Sequence, residues 1–567
     1  MPRTGGVWHL QLGPVLSWII LLLGLAASLA LFRLPKALPE EAPPAAFSAT
    51  RAMPHVAVIA REAHPSGSPA QAGVQDYVFR QIAELGLEPI DQEAVASTGN
   101  GTVALRNILV RLPGSRSSGV ILLLTHTDTT PFGPGAQDNA TGVAVLLELL
   151  RAVVAGQPLE NDLIVMFEDG EELGYLGGVA FLQHHPWGPE VRLAIGLDTA
   201  ARSVTAVLCA APQSGVLVQA LAESYRYPIG SSLFTSIIRD IGNDDNEVTA
   251  FQHRGIPGLA LEDTYAFREK HSDQDRIEHI TPAAVQHMGE QVLALTRRLG
   301  REELRTSAVE DVTYFTVWGW GLLHYPVSWT LPLAFLSALL FALLLVGGLR
   351  LHDLSVRGMA LSFLTSLGLL AVLAGLGQGV GLLGQALDPN KNPHVSDFHP
   401  AASLLCFGVA MLLAGAVYTV GFRRLRRSYS LPDASLGALM VWLVATLMSF
   451  PDMRFAFAWP LLVSALAWGW VFLARPPENS PSRWLVFGLA ALPAMLIFVP
   501  VIGLSYLGSA LSKLGILTFL LGLVLSTAPL HLVAGVSCVE GAGFAAAAKA
   551  PEEAVQQGDG ADERRPA

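Results

Sequence analysis

The chain has 567 residues, of which 51% are hydrophobic and only 15% charged, and its mean hydropathy is +0.44. Because a soluble globular chain usually carries about 25% charged residues, this composition argues against a wholly soluble protein. Lys and Arg number 36 against 47 Asp and Glu, and the net charge of −11 argues against nucleic acid as the main partner. Three cysteines are too few for a disulfide framework.

The N-terminal segment, 1–33, contains an uncharged apolar run from Pro14 to Phe32 that is long enough to cross a hydrocarbon core about 30 Å thick. This run predicts either a signal-anchor helix or a cleaved signal peptide. We favour the anchor, because the run is long for a signal peptide and no clean pair of small residues marks a cleavage site before Arg33. The Pro-rich stretch 34–47 predicts a linker.

Residues 48–310 predict an α/β domain with a mixed, mostly parallel central sheet and helices on both faces, because short apolar runs alternate with helical patterns. The run Val120–Leu124 is apolar at every position, as expected for a strand buried on both faces. The predicted strands are Asn107–Leu112, Val120–Thr125, Leu163–Phe167, Arg192–Leu197, Val204–Leu208 and Gly258–Leu261. The predicted helices are Gln71–Leu85, Thr141–Val154, Gly215–Tyr225 and Pro282–Leu299.

The remainder predicts an α-helical membrane domain, 311–537, and a disordered tail, 538–567. Gly377 and Gly381 lie within one apolar span, where small residues let helices pack closely. The seven spans are predicted at 327–349, 358–384, 401–421, 434–450, 455–474, 484–506 and 514–537.

The charges of the short loops predict the orientation of the spans. One alternate set of loops holds the positive residues Arg350, Arg357, Arg423, Arg424, Arg426, Arg427, Arg475 and Arg483. The other set holds Lys391, Arg454 and Lys513. Because positive loops stay in the cytoplasm, both termini are expected inside, and the 48–310 domain is expected outside: periplasmic or extracellular in a bacterium, lumenal in a eukaryote. Arg3 before the first span, and Arg33 and Lys36 after it, point the other way.

Polar clusters in the 48–310 domain follow the ends of predicted strands, where ligands bind in open α/β sheets. His126 ends one apolar strand, and Asp128 follows close enough to accept a proton from the second ring nitrogen of a metal-bound histidine. Asp138 and Asn139 stand just before the helix at Thr141, where either could simply be an N-cap.

Three further clusters follow. Glu168, Asp169, Glu171 and Glu172 put four carboxylates within five positions, which predicts either a solvated loop or a metal site that neutralises them. Asp198 ends another apolar strand. His271 and Asp275 come after the strand at Gly258. Together the histidines and carboxylates form a donor set suited to zinc.

This ordered set of motifs, over residues 120–275, resembles metallopeptidase family 28, the group of two-zinc aminopeptidases and carboxypeptidases. The layout with a membrane domain is similar to that family's branch of endoplasmic-reticulum metallopeptidases and vacuolar membrane proteases. The resemblance implies that two zinc ions are bound and that the bond after the bridging aspartate, Asp138–Asn139, is cis. The implied ligands are His126 and Asp198 for one zinc, Glu172 and His271 for the other, and Asp138 for both.

The resemblance also implies the chemistry, which is hydrolysis of a peptide or protein substrate by a zinc-activated water, with aminopeptidase specificity. Glu171 would be the general base and then the general acid. Asp128 and Asp275 would support the ligands from behind, and Glu247, at a position where relatives often carry Asp, receives no firm role.

One position departs from the family pattern. Many relatives carry a tyrosine before the second histidine ligand, where it can steady the oxyanion, and this chain has Lys270. Lys270 could supply a positive charge there, Tyr265 could reach in, or Lys270 could be a solvated surface lysine.

Three alternatives to a peptidase remain open at this point. A glutaminyl-peptide cyclotransferase would use one zinc on a related fold. A non-catalytic membrane scaffold that keeps the peptidase fold would usually lose ligands, and here none is lost. A transporter is disfavoured because polar residues are sparse in the spans.

Overall fold

The computed structural model describes residues 12–531 except 100, 199–200, 211–213, 239–245, 264–268, 305–309, 388–399, 479, 510 and 530. The predicted tail, 538–567, therefore lies outside the described residues. The elements up to the first long C-terminal helix are α1 (Leu12–Ala30), α2 (Ala49–Ile59), α3 (Pro69–Glu84), β1 (Ile90–Thr98), β2 (Gly101–Leu112), β3 (Val120–His126), α4 (Thr141–Val154), β4 (Asp162–Glu168), α5 (Leu176–His184), β5 (Val191–Asp198), β6 (Thr205–Ala210), α6 (Gly215–Ser224), β7 (Ile229–Gly230), α7 (Ser232–Ser236), α8 (Thr249–Gln252), β8 (Gly258–Asp263), α9 (Pro282–Leu299), β9 (Val312–Val317) and β10 (Gly321–Pro326). They are followed by α10 (Thr330–Arg350), α11 (Val356–Ala386), α12 (Pro400–Ser428), α13 (Leu431–Met448), α14 (Arg454–Ala474), α15 (Pro481–Ser509) and α16 (Leu514–Ser526).

An eight-stranded mixed sheet forms the centre of the α/β domain, in the order β1-β2-β4-β3-β5-β8-β6-β7. The four central strands, β4, β3, β5 and β8, run parallel to one another. Antiparallel pairing occurs only toward the edges, between β1 and β2, β2 and β4, and β8 and β6. The prediction of a mixed, mostly parallel sheet is confirmed.

Apolar side chains cover both faces of this sheet. In β3, Ile121 and Leu123 belong to the core formed with α2, α3, α4 and α9, whereas Leu122 and Leu124 belong to the core on the opposite face. Because alternate residues of a strand point to opposite faces, a strand covered on both sides has to be apolar at every position. This packing explains the uninterrupted run Val120–Leu124.

All six predicted strands and all four predicted helices are present, with ends that differ by a few residues. Within 48–310, six elements were not predicted: β1, α2, α5, β7, α7 and α8. β1 is an edge strand whose side chains are mostly exposed or half-buried, so its sequence lacks the apolar run that marked the central strands.

The hairpin β9–β10 packs on the α/β domain, although the sequence suggested a boundary at residue 311. Val312, Tyr314 and Leu322 lie in the same buried core as α4 and α9. Phe315 forms a bridge to Ser231, and its ring stacks on Phe455 of α14 at 5.6 Å. We therefore propose that the α/β domain extends to Pro326 and rests on the helical domain through this hairpin.

Seven of the described helices are long and apolar enough to cross a membrane, which fits a multi-pass membrane protein: α1, the helix over 327–350 that includes α10, and α11 to α15. The eighth predicted span, 514–537, lies partly outside the described residues. Its described part, α16, has 13 residues, or about 20 Å at 1.5 Å per residue.

Small residues bring these helices close together. Within α11, a β-carbon at Gly377 or Gly381 would lie under 3 Å from atoms of Thr518 or Leu511, so the expected close packing is confirmed. Helix α1 packs on α15, where the Ser17 hydroxyl donates to the carbonyl oxygen of Trp484 at 2.7 Å. This packing supports the proposal that α1 is an anchor that remains part of the protein.

Candidate metal centre

Three neighbouring parallel strands end at the same edge of the sheet, and each ends on a polar residue. These residues are His126 of β3, Glu168 of β4 and Asp198 of β5, with His126 and Glu168 in register as partners. Because parallel strands present their carboxyl ends together, residues far apart in sequence converge here.

Six side chains at this edge form two groups with the spacing of metal ligands. One group is His126, Asp198 and Glu247, and the other is Asp138, Glu172 and His271. Within each group, one ligand atom from each residue lies within 4.8 Å of the other two. The structure therefore brings together all five residues that were expected to be ligands.

Asp138 belongs to the second group and also reaches the first. Its Oδ1 lies 3.1 Å from His126 Nε2, and its Oδ2 lies 3.1 Å from His271 Nε2. His271 Nε2 is also 3.1 Å from Glu172 Oε2. Each oxygen of Asp138 thus faces one group, which is the arrangement that a bridging carboxylate requires.

Asp138 is held in a non-helical turn before α4. The Asp138–Asn139 peptide bond is cis, as the family resemblance implied. Asp138 does not cap the helix, because the side chain of Asn139 accepts the hydrogen bond from the N–H of Gly142. The N-cap alternative is therefore wrong for Asp138, and it is Asn139 whose side chain accepts a hydrogen bond from the first turn of the helix.

Asp275 supports this turn, as expected for a residue behind the ligands. Its carboxylate accepts hydrogen bonds from the backbone N–H groups of Gln137, at 2.6 Å, and Asp138, at 3.1 Å. Burial raises the pKa of Asp275 to about 7, and the nearby Asp138 adds to the rise.

Glu171 extends its carboxylate toward the first group. Its Oε2 is 3.8 Å from His126 Nε2, and its side chain is 13% exposed. Burial raises the pKa of Glu171 well above the ordinary value, although His126 opposes the rise. A carboxylate in this position is within reach of a water or substrate bound between the two groups.

The carboxylate of Asp128 was expected to accept the ring proton of His126. The structure gives Asp128 a different supporting role. His126 Nδ1 lies 3.0 Å from the backbone carbonyl oxygen of Asp128 and 3.7 Å from its carboxylate. That carboxylate instead accepts hydrogen bonds from the N–H groups of Glu171 and Glu172, both at 3.2 Å. Asp128 therefore orients the loop that carries these two glutamates.

Lys270 lies inside the site, so the alternative of a solvated surface lysine is wrong. Its Nζ contacts Asp198 Oδ2 and lies 3.4 Å from Asp138 Oδ1. Burial alone would lower the pKa of Lys270, but Asp138 and Asp198 outweigh it and raise the pKa well above the usual value. Tyr265, the other candidate for oxyanion stabilisation, lies outside the described residues.

Two carboxylates at the site, those of Glu247 and Glu168, are buried in a way that the sequence did not predict. Glu247, which received no firm role from the sequence analysis, is 1% exposed and joins His126 and Asp198. Glu168 is fully buried, and burial raises its pKa to about 8. The solvated-loop alternative is therefore wrong for Glu168 and Asp169, which are both buried.

The residues of the site fit bound zinc. Oε1 of Glu172, Oδ1 of Asp198 and both carboxylate oxygens of Glu247 are buried and have no hydrogen-bond partner within the described part of the chain. Buried carboxylates without partners are costly unless a cation neutralises them. Histidine nitrogens and carboxylate oxygens are ligands that zinc binds in proteins, and His126 and His271 supply the nitrogens.

Comparison with known proteins finds a family model and several relatives that match this domain. Residues 107–296 match the model of peptidase family M28. The chain is 31% identical over 236 residues to a vacuolar membrane protease of Candida albicans, covering 41% of this chain and 28% of that protein. It is 28% identical over 234 residues to endoplasmic reticulum metallopeptidase 1 of Rattus norvegicus. This match covers 39% of this chain and 26% of that protein. The matched part is thus little more than a quarter of these relatives' length.

Among solved structures, a glutaminyl cyclase of Porphyromonas gingivalis is similar at 20% identity and a TM-score of 0.37, covering 44% of this chain and 97% of that one. The matched segment, 107–296, contains the six site residues from His126 to His271. Residues 107–296, which make up most of the α/β domain, are thus similar to peptidase family M28, and the domain is similar to parts of a vacuolar membrane protease and of endoplasmic reticulum metallopeptidase 1.

Proposed function

We propose that the protein is a membrane-bound zinc peptidase that removes residues from the amino end of peptides outside the cytoplasm. The observation that carries this proposal is the position of Asp138, with one carboxylate oxygen 3.1 Å from His126 and the other 3.1 Å from His271. Two histidines on opposite sides of one carboxylate are the geometry expected of a site for two zinc ions.

The ligands of the first zinc would be His126 and Asp198, those of the second Glu172 and His271, and Asp138 would bridge the two. Zinc bound there supplies a Lewis acid, which polarises a peptide carbonyl and lowers the pKa of water. The relatives' names support a metallopeptidase.

Glu171 is the residue that moves the proton. Its carboxylate takes a proton from the attacking water and returns it to the leaving amine, so one side chain acts first as base and then as acid. The hydrogen bond from its own N–H to Asp128 fixes the backbone from which the carboxylate extends. The adjacent Glu172 is a proposed ligand, and therefore ties the position of Glu171 to the metal site.

The excess of carboxylates supports action at a free amino terminus. An aminopeptidase has to bind the substrate's positive α-ammonium group, which pairs with carboxylate oxygens. Five carboxylates converge at the site, those of Asp138, Glu171, Glu172, Asp198 and Glu247, whereas two zinc ions would carry only four positive charges. Blocking the substrate amine should therefore remove binding and turnover together.

A panel of substrates on the purified full-length protein in detergent tests this proposal. Aminoacyl-fluorophores and short peptides with free amino ends should be hydrolysed, the same peptides with acetylated ends should not, and a chelator should abolish all turnover. Cleavage of acetylated, internally quenched peptides at equal rates would replace the aminopeptidase with an endopeptidase. No hydrolysis of any peptide by zinc-loaded protein would overturn the proposal.

Glutaminyl cyclisation is the second candidate, and the contact of Lys270 with Asp198 favours it, because an ammonium group beside that ligand would suit a site with one zinc. Peptides beginning with glutamine separate the two functions. A cyclase converts them to pyroglutamyl peptides and releases ammonia, whereas an aminopeptidase releases free glutamine.

The proposed orientation places the α/β domain outside the cytoplasm and the C-terminal end of α12 inside. Variants Ser117→Cys, in the domain, and Arg424→Cys, near the C-terminal end of α12, can be made with the native cysteines replaced by serine. A membrane-impermeant thiol reagent added to intact cells should label the first variant and not the second. The reverse pattern would contradict the orientation.

A further inference from the structure

The ammonium group of Lys270 shares its partners with the first metal group. Lys270 Nζ contacts Asp198 Oδ2 and is 3.4 Å from Asp138 Oδ1. That same Asp138 oxygen lies 3.1 Å from His126 Nε2, on the side of the site where His126, Asp198 and Glu247 converge. Neither Glu172 nor His271 has an ion pair with Lys270 among the described residues, where they pair with each other.

The ammonium group of Lys270 and a divalent cation would compete for the same carboxylate oxygens of Asp138 and Asp198. The ammonium group has three donors and no lone pair, so it neutralises carboxylates without ligating a metal. Two cations a few Å apart in a poorly solvated site repel each other. Metal binding between His126 and Asp198 therefore has to displace Lys270, whereas binding at Glu172 and His271 does not.

The ammonium group of Lys270 can also move out of the site toward solvent. Its side chain is 20% exposed, and its four-carbon stem can turn the ammonium group toward solvent without moving the backbone. Glu247 provides a further carboxylate, with both oxygens unpartnered within the described chain, that strengthens this group once the ammonium leaves.

We propose that Lys270 is a tethered cation that competes with the first zinc, so that the two sites fill unequally. The Asp138, Glu172 and His271 site fills first, and the His126, Asp198 and Glu247 site fills second, as Lys270 withdraws. This inference rests on the proposed function, and it predicts a stable one-zinc form of the protein at limiting zinc.

Zinc titration of the metal-free, full-length protein tests the inference, with a chelating dye reporting free zinc. The wild type should bind two zinc ions per chain, the second more weakly. Lys270→Met should tighten the second zinc by roughly 10-fold or more, the size of effect that neighbours of metal ligands commonly have, and should leave the first little changed. Lys36→Met, at an exposed linker lysine, is the matched control and should behave as the wild type.

The outcomes separate this inference from the proposed function. Two zinc ions of unchanged affinities in wild type and Lys270→Met would overturn the inference and leave the peptidase proposal standing. Failure of the wild type to bind zinc would overturn both.

A second measurement uses wild-type protein alone and so does not depend on the variant folding. An amine-acylating reagent with mass spectrometry reports how accessible each lysine is. Lys270 should react slowly without zinc and with one equivalent, and faster after the second equivalent, while Lys36 stays constant. Reactivity of Lys270 that does not change with zinc would contradict displacement.

Discussion

The carboxylate of Asp275 accepts a hydrogen bond from the backbone N–H of Asp138 at 3.1 Å, although 137 residues separate the two in sequence. This bond ties the loop that carries His271 to the turn that carries the proposed bridging ligand. The second bond, from the N–H of Gln137, makes the connection bidentate. The geometry between Asp138 and His271 therefore depends on a residue that touches neither metal group directly.

Replacing Asp275 should loosen this geometry without removing any proposed ligand. We expect Asp275→Asn to weaken zinc binding and lower kcat/KM by about 10- to 100-fold, because an amide accepts the two backbone hydrogen bonds with only one oxygen. Zinc affinity by competition titration and kcat/KM on an aminoacyl-fluorophore measure the two effects. Asp273→Asn, two residues away, is the control, and equal behaviour of the two variants would refute the role of Asp275.

Glu171→Gln should separate metal binding from catalysis. The amide cannot accept a proton from water, so we expect kcat to fall by about 10²- to 10⁴-fold. Zinc content measured by elemental analysis should stay at the wild-type value, because Glu171 is not a proposed ligand. Glu93→Gln, on the exposed face of β1, should retain full activity. A metal-replete Glu171→Gln protein that keeps most of its turnover would show that another group is the base.

Glu168 should give the metal-free protein a pH-dependent stability. Burial raises its pKa to about 8 in the folded protein, against about 4.3 in an unfolded chain. The folded state therefore holds a proton that the unfolded state releases, and this contribution to stability is lost as the pH rises toward 8. We expect Glu168→Gln to unfold at a higher Tm than the wild type at pH 8 and above, with a smaller difference at pH 5. Thermal unfolding in detergent measures this difference in Tm between the variant and the wild type. A difference that does not change with pH would contradict a buried, protonated carboxyl at Glu168.

Gly289 should be intolerant of a side chain because the linker passes over it. A β-carbon at this position of α9 would lie 2.1 Å from the ring of Phe47, which is buried. Gln286, on the same helix, fixes the backbone there by donating to the Phe47 carbonyl oxygen. We expect Gly289→Ala to lower the free energy of unfolding by about 1–3 kcal/mol.

The control for this substitution is Gly73→Ala, in α3. A β-carbon there meets nothing within 4 Å, so the alanine should be neutral or stabilising by about 0.5–1 kcal/mol, as alanine favours helix. Chemical unfolding of both variants checks the comparison. A stable Gly289→Ala protein would mean that the linker is not docked on α9.

The strand ends were predictable from the sequence because burial on both faces leaves a distinct signature. Val120–Leu124 and Leu163–Phe167 read as unbroken apolar runs, and the polar residues that follow them had to meet at one edge. The assignment of His126, Asp138, Glu172, Asp198 and His271 to specific metals came from the family resemblance, and it stays a proposal.

The positions of long side chains could not be read from the sequence. A lysine is usually solvated, and only the folded loop shows that Lys270 reaches Asp198. The direction of the Asp128 carboxylate depends on how closely the loop at Glu171 approaches Asp128, which local sequence does not encode. Edge elements such as β1 were missed because half-exposed strands carry a weak apolar pattern.

The central claim is that five residues gathered at one edge of the sheet hold two zinc ions. The most direct measurement is anomalous diffraction at the zinc absorption edge from crystals of the protein with saturating zinc. We predict two peaks, one among His126, Asp138 and Asp198 and the other among Asp138, Glu172 and His271. An anomalous difference map with no peak at either of these two positions would contradict the proposed zinc site.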